Sequence, residues 1–114
     1  MQYLCQQSEI TSESGREFRL DVEGHVRFVA VFRTANGIRA YLNSCPHQGR
    51  SLNWAPDQFL FTDDGKLVCA HHGATFDVGS GTCVSGPCPG ASLTPVDIEL
   101  KDGSVYFVSA PTFA

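Results

Sequence analysis

A surplus of basic residues is missing from this sequence. Its 114 residues carry 8 lysines and arginines against 12 aspartates and glutamates, a formal charge of −4 with a pI near 5.4. Binding to a phosphate backbone rests on a basic surface that releases counterions, so no nucleic-acid partner is expected. An acidic surface keeps a protein soluble and can steer it toward a basic patch on a partner. Long hydrophobic runs are missing too, since nothing approaches the roughly 20 apolar residues that span a bilayer. The start, MQYLCQQSEITSES, has no basic segment followed by an apolar one. No membrane association is expected, and the expected location is cytoplasmic. Helix-period patterning is scarce, with room for a short helical turn between Leu52 and Leu60. Cysteine, finally, lacks an even count. Five cysteines suit a fully paired disulfide framework poorly, and suit thiolate metal ligands in a reducing compartment better.

What is present is strand. Apolar residues alternate in Phe18-Leu20-Val22, in Val26-Phe28-Ala30-Phe32 and in Val105-Phe107, the period of half-buried strands. Asn36-Gly37, Asp64-Gly65 and Asp102-Gly103 lie between such runs, where residues tolerant of positive φ close tight hairpins, and Gly24 marks another turn. Leu93–Leu100 is a further strand candidate, with Pro95 pointing to an edge or a strand start. A hydrophobic content of 42% over this length supports one core, so residues 1–114 are expected to form a single domain. The expected fold class is all-β, a small antiparallel sandwich or barrel.

Two segments break the alternation with glycine, proline, cysteine and histidine: Ser44–Arg50 (SCPHQGR) and Cys69–Phe76 (CAHHGATF). Cys45 and His47 have C-x-H spacing, and Cys69 and His72 have C-x-x-H spacing. Each loop therefore offers one thiolate and one imidazole, and a returning strand over Lys66–Ala70 would bring the second loop beside the first. Such a donor set can converge on one shared metal site. It also leaves open a tetrahedral zinc site, although zinc fingers commonly draw a like-ligand pair from each loop.

The pattern C-P-H-x-G, then C-x-x-H-G-x-x-F, then Gly86-Pro87, resembles the Rieske ferredoxin family over nearly the whole chain. The resemblance implies a Rieske-type antiparallel β sandwich or barrel with a cluster-binding loop subdomain, its loops at about 44–50, 69–76 and 85–90. It implies one 2Fe-2S cluster held by Cys45 and Cys69 on one iron and His47 and His72 on the other. Gly49 and Gly73 would let the loop backbones approach it, and Pro87 would lie in a covering loop. His71 competes with His72 for one ligand position, and the C-x-x-H register selects His72. The family's high-potential members carry a loop disulfide and serine and tyrosine hydroxyls near the cluster. Here Arg50, His71, Ala74 and Phe76 stand at those positions, which implies a low-potential cluster.

The implied role is that of an electron carrier and not an enzyme: single electrons pass from a flavin-containing reductase to a terminal oxygenase or reductase. The alternative is a cluster-bearing accessory subunit of a nitrite-reductase-like complex. Oxygenase chemistry within this chain is disfavoured, because a mononuclear iron site needs about two further histidines and a carboxylate, and only His25 and His71 remain. Cys83 and Cys88 are expected as reduced small hydrophobes, Cys5 as an ordinary thiol, and His25 as solvent-facing. Trp54 and Phe59 are expected in local packing, with a docking surface as the alternative.

Overall fold

The computed structural model describes residues 2–22, 24–35, 37–45, 51–70, 73–86 and 91–109. Among the described residues ten strands form three antiparallel sheets. The first sheet has the order β1 (Gln2–Gln6), β10 (Ser104–Ser109), β9 (Asp97–Lys101); the second runs β2 (Gly15–Val22), β3 (His25–Thr34), β4 (Gly37–Leu42). The third is built from short strands, β5 (Leu60–Phe61), β6 (Leu67–Val68), β7 (Thr75–Phe76) and β8 (Cys83–Ser85). The expected all-β class is what the structure shows. Among the described residues no helix is long and apolar enough to cross a membrane.

The hairpins follow from their turn residues. Gly24 takes φ +81 between β2 and β3, and its N–H donates to Asp21 Oδ1 at 3.0 Å. Asp102 and Gly103 take φ +52 and +80, the paired left-handed conformation that an Asp-Gly turn supplies to the β9–β10 hairpin. Gly65, at φ +84, closes the turn from Thr62 to Lys66 between β5 and β6. Asn36 lies outside the described residues.

Strands β3 and β4 divide the interior. Val29 and Val31, with Ile38, Ala40 and Leu42, pack against Val105 and Phe107 inside the sandwich of the first two sheets. Ala30, Phe32 and Tyr41 point the other way, into a second apolar cluster shared with the third sheet and its loops. Phe32 is the hub of that cluster, with Phe59 edge-on at a centroid distance of 5.0 Å and Phe61 at 6.2 Å. The ring also explains Gly15, where a Cβ would sit 2.6 Å from Phe32 Cε1.

Three expectations need correction. Val26 and Phe28 do not share the burial of Ala30 and Phe32: they are 40% and 46% exposed, because the outer end of β3 runs beyond the packed layers. The strand expected over Leu93–Leu100 begins only at Asp97. In its first half only Leu93 and Val96 are buried, and the chain there is tied by isolated bridges, Pro95 with Tyr41 and, just before the segment, Ser92 with Thr82. Finally, the segment from Leu52 to Leu60 holds no helical turn; the Ala55–Gln58 bridge makes it a tight β-type turn. A 3-10 turn over Gln7–Glu9 and the strand β1 before it were not anticipated.

Candidate metal centre

Strand β4 ends at Leu42 and hands the chain to Asn43, Ser44 and Cys45, while β6 ends at Val68 and leads directly into Cys69. Cys45 is 0% and Cys69 1% exposed, and both lie in the apolar cluster that contains Leu52, Ala74, Phe76 and Cys83. Two sulfur donors thus converge from different loops onto one buried region. An anionic thiolate in such surroundings is unfavourable unless a positive group meets it. A metal centre satisfies that demand, and sulfur is the donor that iron–sulfur clusters take.

The second loop is closed by its own backbone. Cys69 N–H donates to Ala74 O at 2.7 Å and Gly73 N–H returns to Cys69 O at 3.0 Å, with Gly73 at φ +74. No protein atom lies within 4 Å of where a Gly73 Cβ would be, so its backbone conformation explains the glycine. A third loop lies against this one: Gly86, at φ +98, sits so close that a Cβ would meet Ala74 Cα at 2.6 Å. Ala74 and Phe76, which carry no hydroxyl, are both fully buried in the same apolar cluster as Cys45 and Cys69.

The first loop is closed differently. Leu52 N–H, at its far end, donates to Asn43 Oδ1 at 2.8 Å, while Leu52 O accepts from Ala70 N–H at 3.1 Å. Asn43 Nδ2 donates to Glu17 Oε2 at 2.5 Å and to Asn53 Oδ1 at 3.0 Å. Nothing in the sequence reading singled out Asn43, Asn53 or Glu17. The available signal was an asparagine two residues before Cys45, easily taken for a turn residue.

His47 and His72 lie outside the described residues, as do Gly49, Arg50, His71, Pro87 and Cys88. Among the described residues no three His, Cys, Asp or Glu side chains gather around a metal position; only the two cysteines of the expected set fall within them. Cys83 is buried on β8. Cys5 is buried in the other cluster, and burial, followed by the charge of Glu9, pushes its thiol pKa up. His25 is exposed, as expected. Phe59 does pack locally, but Trp54 does not: it is 60% exposed at the start of the Ala55–Gln58 turn.

The structure is thus an all-β protein with two cysteines from different loops buried in one apolar cluster. The model of the Rieske [2Fe-2S] domain family matches residues 1–107, and the chain belongs to that family. Its cofactor is accordingly a Rieske-type 2Fe-2S cluster, which sets aside the zinc reading. Among solved structures, a chain from the complex of reduced oxygenase and oxidized ferredoxin in carbazole 1,9a-dioxygenase is 27% identical. That match covers 93% of this chain and 99% of the other, with a TM-score of 0.68. The ferredoxin of carbazole 1,9a-dioxygenase from Nocardioides aromaticivorans IC177 is 22% identical, covering 98% and 97% with a TM-score of 0.67. A protein assigned as the small subunit of an NADPH nitrite reductase is 19% identical, covering 94% and 96% at 0.65. No curated protein sequence matches the chain.

Proposed function

We propose that the chain, as a single domain over residues 1–114, is an electron carrier whose cluster is held by Cys45 and Cys69 on one iron and His47 and His72 on the other. The observation that carries the assignment is the burial of both cysteines in one apolar cluster, on two loops joined by the Ala70–Leu52 hydrogen bond. When bound, the cluster supplies storage for one electron. The protein's part is to hold it asymmetrically. With both cysteines buried in the core, the iron that His47 and His72 would hold is the proposed point of entry and exit for electrons. Replacing two thiolates by neutral imidazoles also removes negative charge, so an added electron is repelled less.

In this reading a flavin-containing reductase supplies single electrons and a terminal oxygenase or reductase consumes them. The oxygenase arm draws support from the 27% identity to a chain of an oxygenase–ferredoxin complex. Catalysis then belongs to the partner, and this chain is not itself an enzyme. The deciding experiment is the visible and EPR spectrum of purified protein before and after dithionite, with iron and acid-labile sulfide counted. About two of each per chain, with a reducible signal, is the expected result. A colourless protein with one bound zinc would overturn it.

A further inference from the structure

We infer that Asn43 is a positioning residue that fixes the first cluster loop against the second. It stands immediately before the loop that carries Cys45 and His47, and its amide is buried with every polar atom engaged. A loop presents two ligands reproducibly only if its ends are held. At this base, Leu52 N–H finds a side-chain oxygen, Asn43 Oδ1 at 2.8 Å, where a strand would offer a carbonyl. The next link belongs to the other loop, because Leu52 O accepts from Ala70 N–H at 3.1 Å, one residue beyond Cys69. A continuous path therefore runs from Asn43 through the Leu52 peptide to the residue after the second cysteine.

The orientation of the amide is fixed from behind. Its Nδ2 donates to two oxygens, Glu17 Oε2 at 2.5 Å and Asn53 Oδ1 at 3.0 Å. Flipping the amide would bring oxygen against both acceptors, so Oδ1 is held toward Leu52. Asn53 is itself anchored, donating through Nδ2 to Ala55 O at 3.0 Å. Strand β2 thus braces the loop through Glu17, whose own N–H is bound by Asp57 Oδ1 at 2.7 Å. Partners that orient ligands without touching the metal tune its affinity and potential.

The consequence for the cluster rests on the ligand assignment proposed above; the positioning of the loops does not. In cluster-bearing protein, Asn43→Ala is expected to speed amide exchange in peptides spanning Leu52 and Ala70. It should also shift the midpoint potential and EPR signal, and speed iron release to a chelator by about 10- to 100-fold. Asn43→Asp sets a carboxylate against Glu17 and should behave similarly. Adding Glu17→Gln to that variant restores a donor–acceptor pair at unchanged net charge, and should move potential and release rate back toward native values. Val105→Ala, in the sandwich core away from the loops, is the control for general loosening. The inference is overturned if Val105→Ala shifts the potential and EPR signal as much, if the double variant recovers nothing, or if Asn43→Ala leaves exchange at Leu52 and Ala70 native. A His72→Ala protein that kept its cluster would instead count against the ligand assignment alone, leaving the exchange result standing.

Discussion

The phenol of Tyr41 donates a 2.6 Å hydrogen bond to the carbonyl of Val78, joining strand β4 to the chain that follows β7. Both residues are buried, and Gly81 packs so tightly on the ring that a Cβ there would lie 2.8 Å from Tyr41 Cε1. Tyr41→Phe keeps the ring and strands the Val78 carbonyl, so a loss of about 1–3 kcal/mol is expected in denaturant unfolding. Burial, with a smaller contribution from Asp77, raises the Tyr41 pKa. A raised folded-state pKa gives stability that is present below the unfolded value, about 10, and is lost as pH rises through the folded one. Native protein should therefore lose part of its margin over Tyr41→Phe in strongly alkaline buffer, measured by melting at matched pH.

The register of the second loop has a direct test. His72→Ala is expected to abolish the cluster and His71→Ala to spare it, read as iron and sulfide per chain after purification. Iron lost from the His71 variant and retained by the His72 variant would show the register to be wrong.

A low potential is expected from the same loops. Ala74 and Phe76 are fully buried at the positions where hydroxyl donors would stabilise a reduced cluster. Without such hydrogen bonds, the reduced state loses stabilisation. Film voltammetry near neutral pH should give a midpoint below about +100 mV, in the lower part of a family range of roughly −150 to +300 mV. A value well above that would favour quinol oxidation instead.

Charge steering is expected at the docking step. With a formal charge of −4, association with a basic partner surface is screened over about 10 Å at 0.1 M ionic strength. Stopped-flow electron transfer should slow as salt rises. Rates that stay flat across the range would remove steering from the account.

The contact between the second and third loops sets a packing limit. Gly86→Ala adds a methyl group 2.6 Å from Ala74 Cα at a positive φ of 98°. The combined strain and overlap should cost about 2–4 kcal/mol, visible as a lower melting temperature. Gly24, also at positive φ but with nothing within 4 Å of its Cβ position, should tolerate Ala better. Equal effects at the two sites would show that backbone strain alone matters.

Turns and regularly alternating strands were readable in the sequence because each rests on local chemistry. Gly24, Asp64-Gly65 and Asp102-Gly103 all mark turns where positive φ is needed. Strand β1 escaped notice because only Cys5 in QYLCQ is buried, so its pairing with β10 leaves no periodic trace. Leu93 and Val96 misled for the opposite reason: they are apolar and buried, yet each is held by a single backbone hydrogen bond, to Gly81 O at 2.8 Å and to Ala40 O at 3.0 Å, that local sequence does not encode. At the site, the cysteines were legible because ligand chemistry dictates residue type and spacing. The Asn43–Leu52 closure was not, since an amide that bonds a peptide nine positions away leaves no motif.

The partition of the interior by β3 and β4 bears on how such a protein matures. Val29 and Val31 belong to one apolar cluster while Ala30 and Phe32 belong to the other, so neighbouring positions on a single strand serve two separate interiors. The sandwich interior contains neither Cys45 nor Cys69. It has its own complement of buried side chains, so it is expected to consolidate without iron. Small zinc modules must instead wait for metal to fold at all. Removal of the cluster is accordingly expected to leave the sandwich half folded, with the change confined to the loop end.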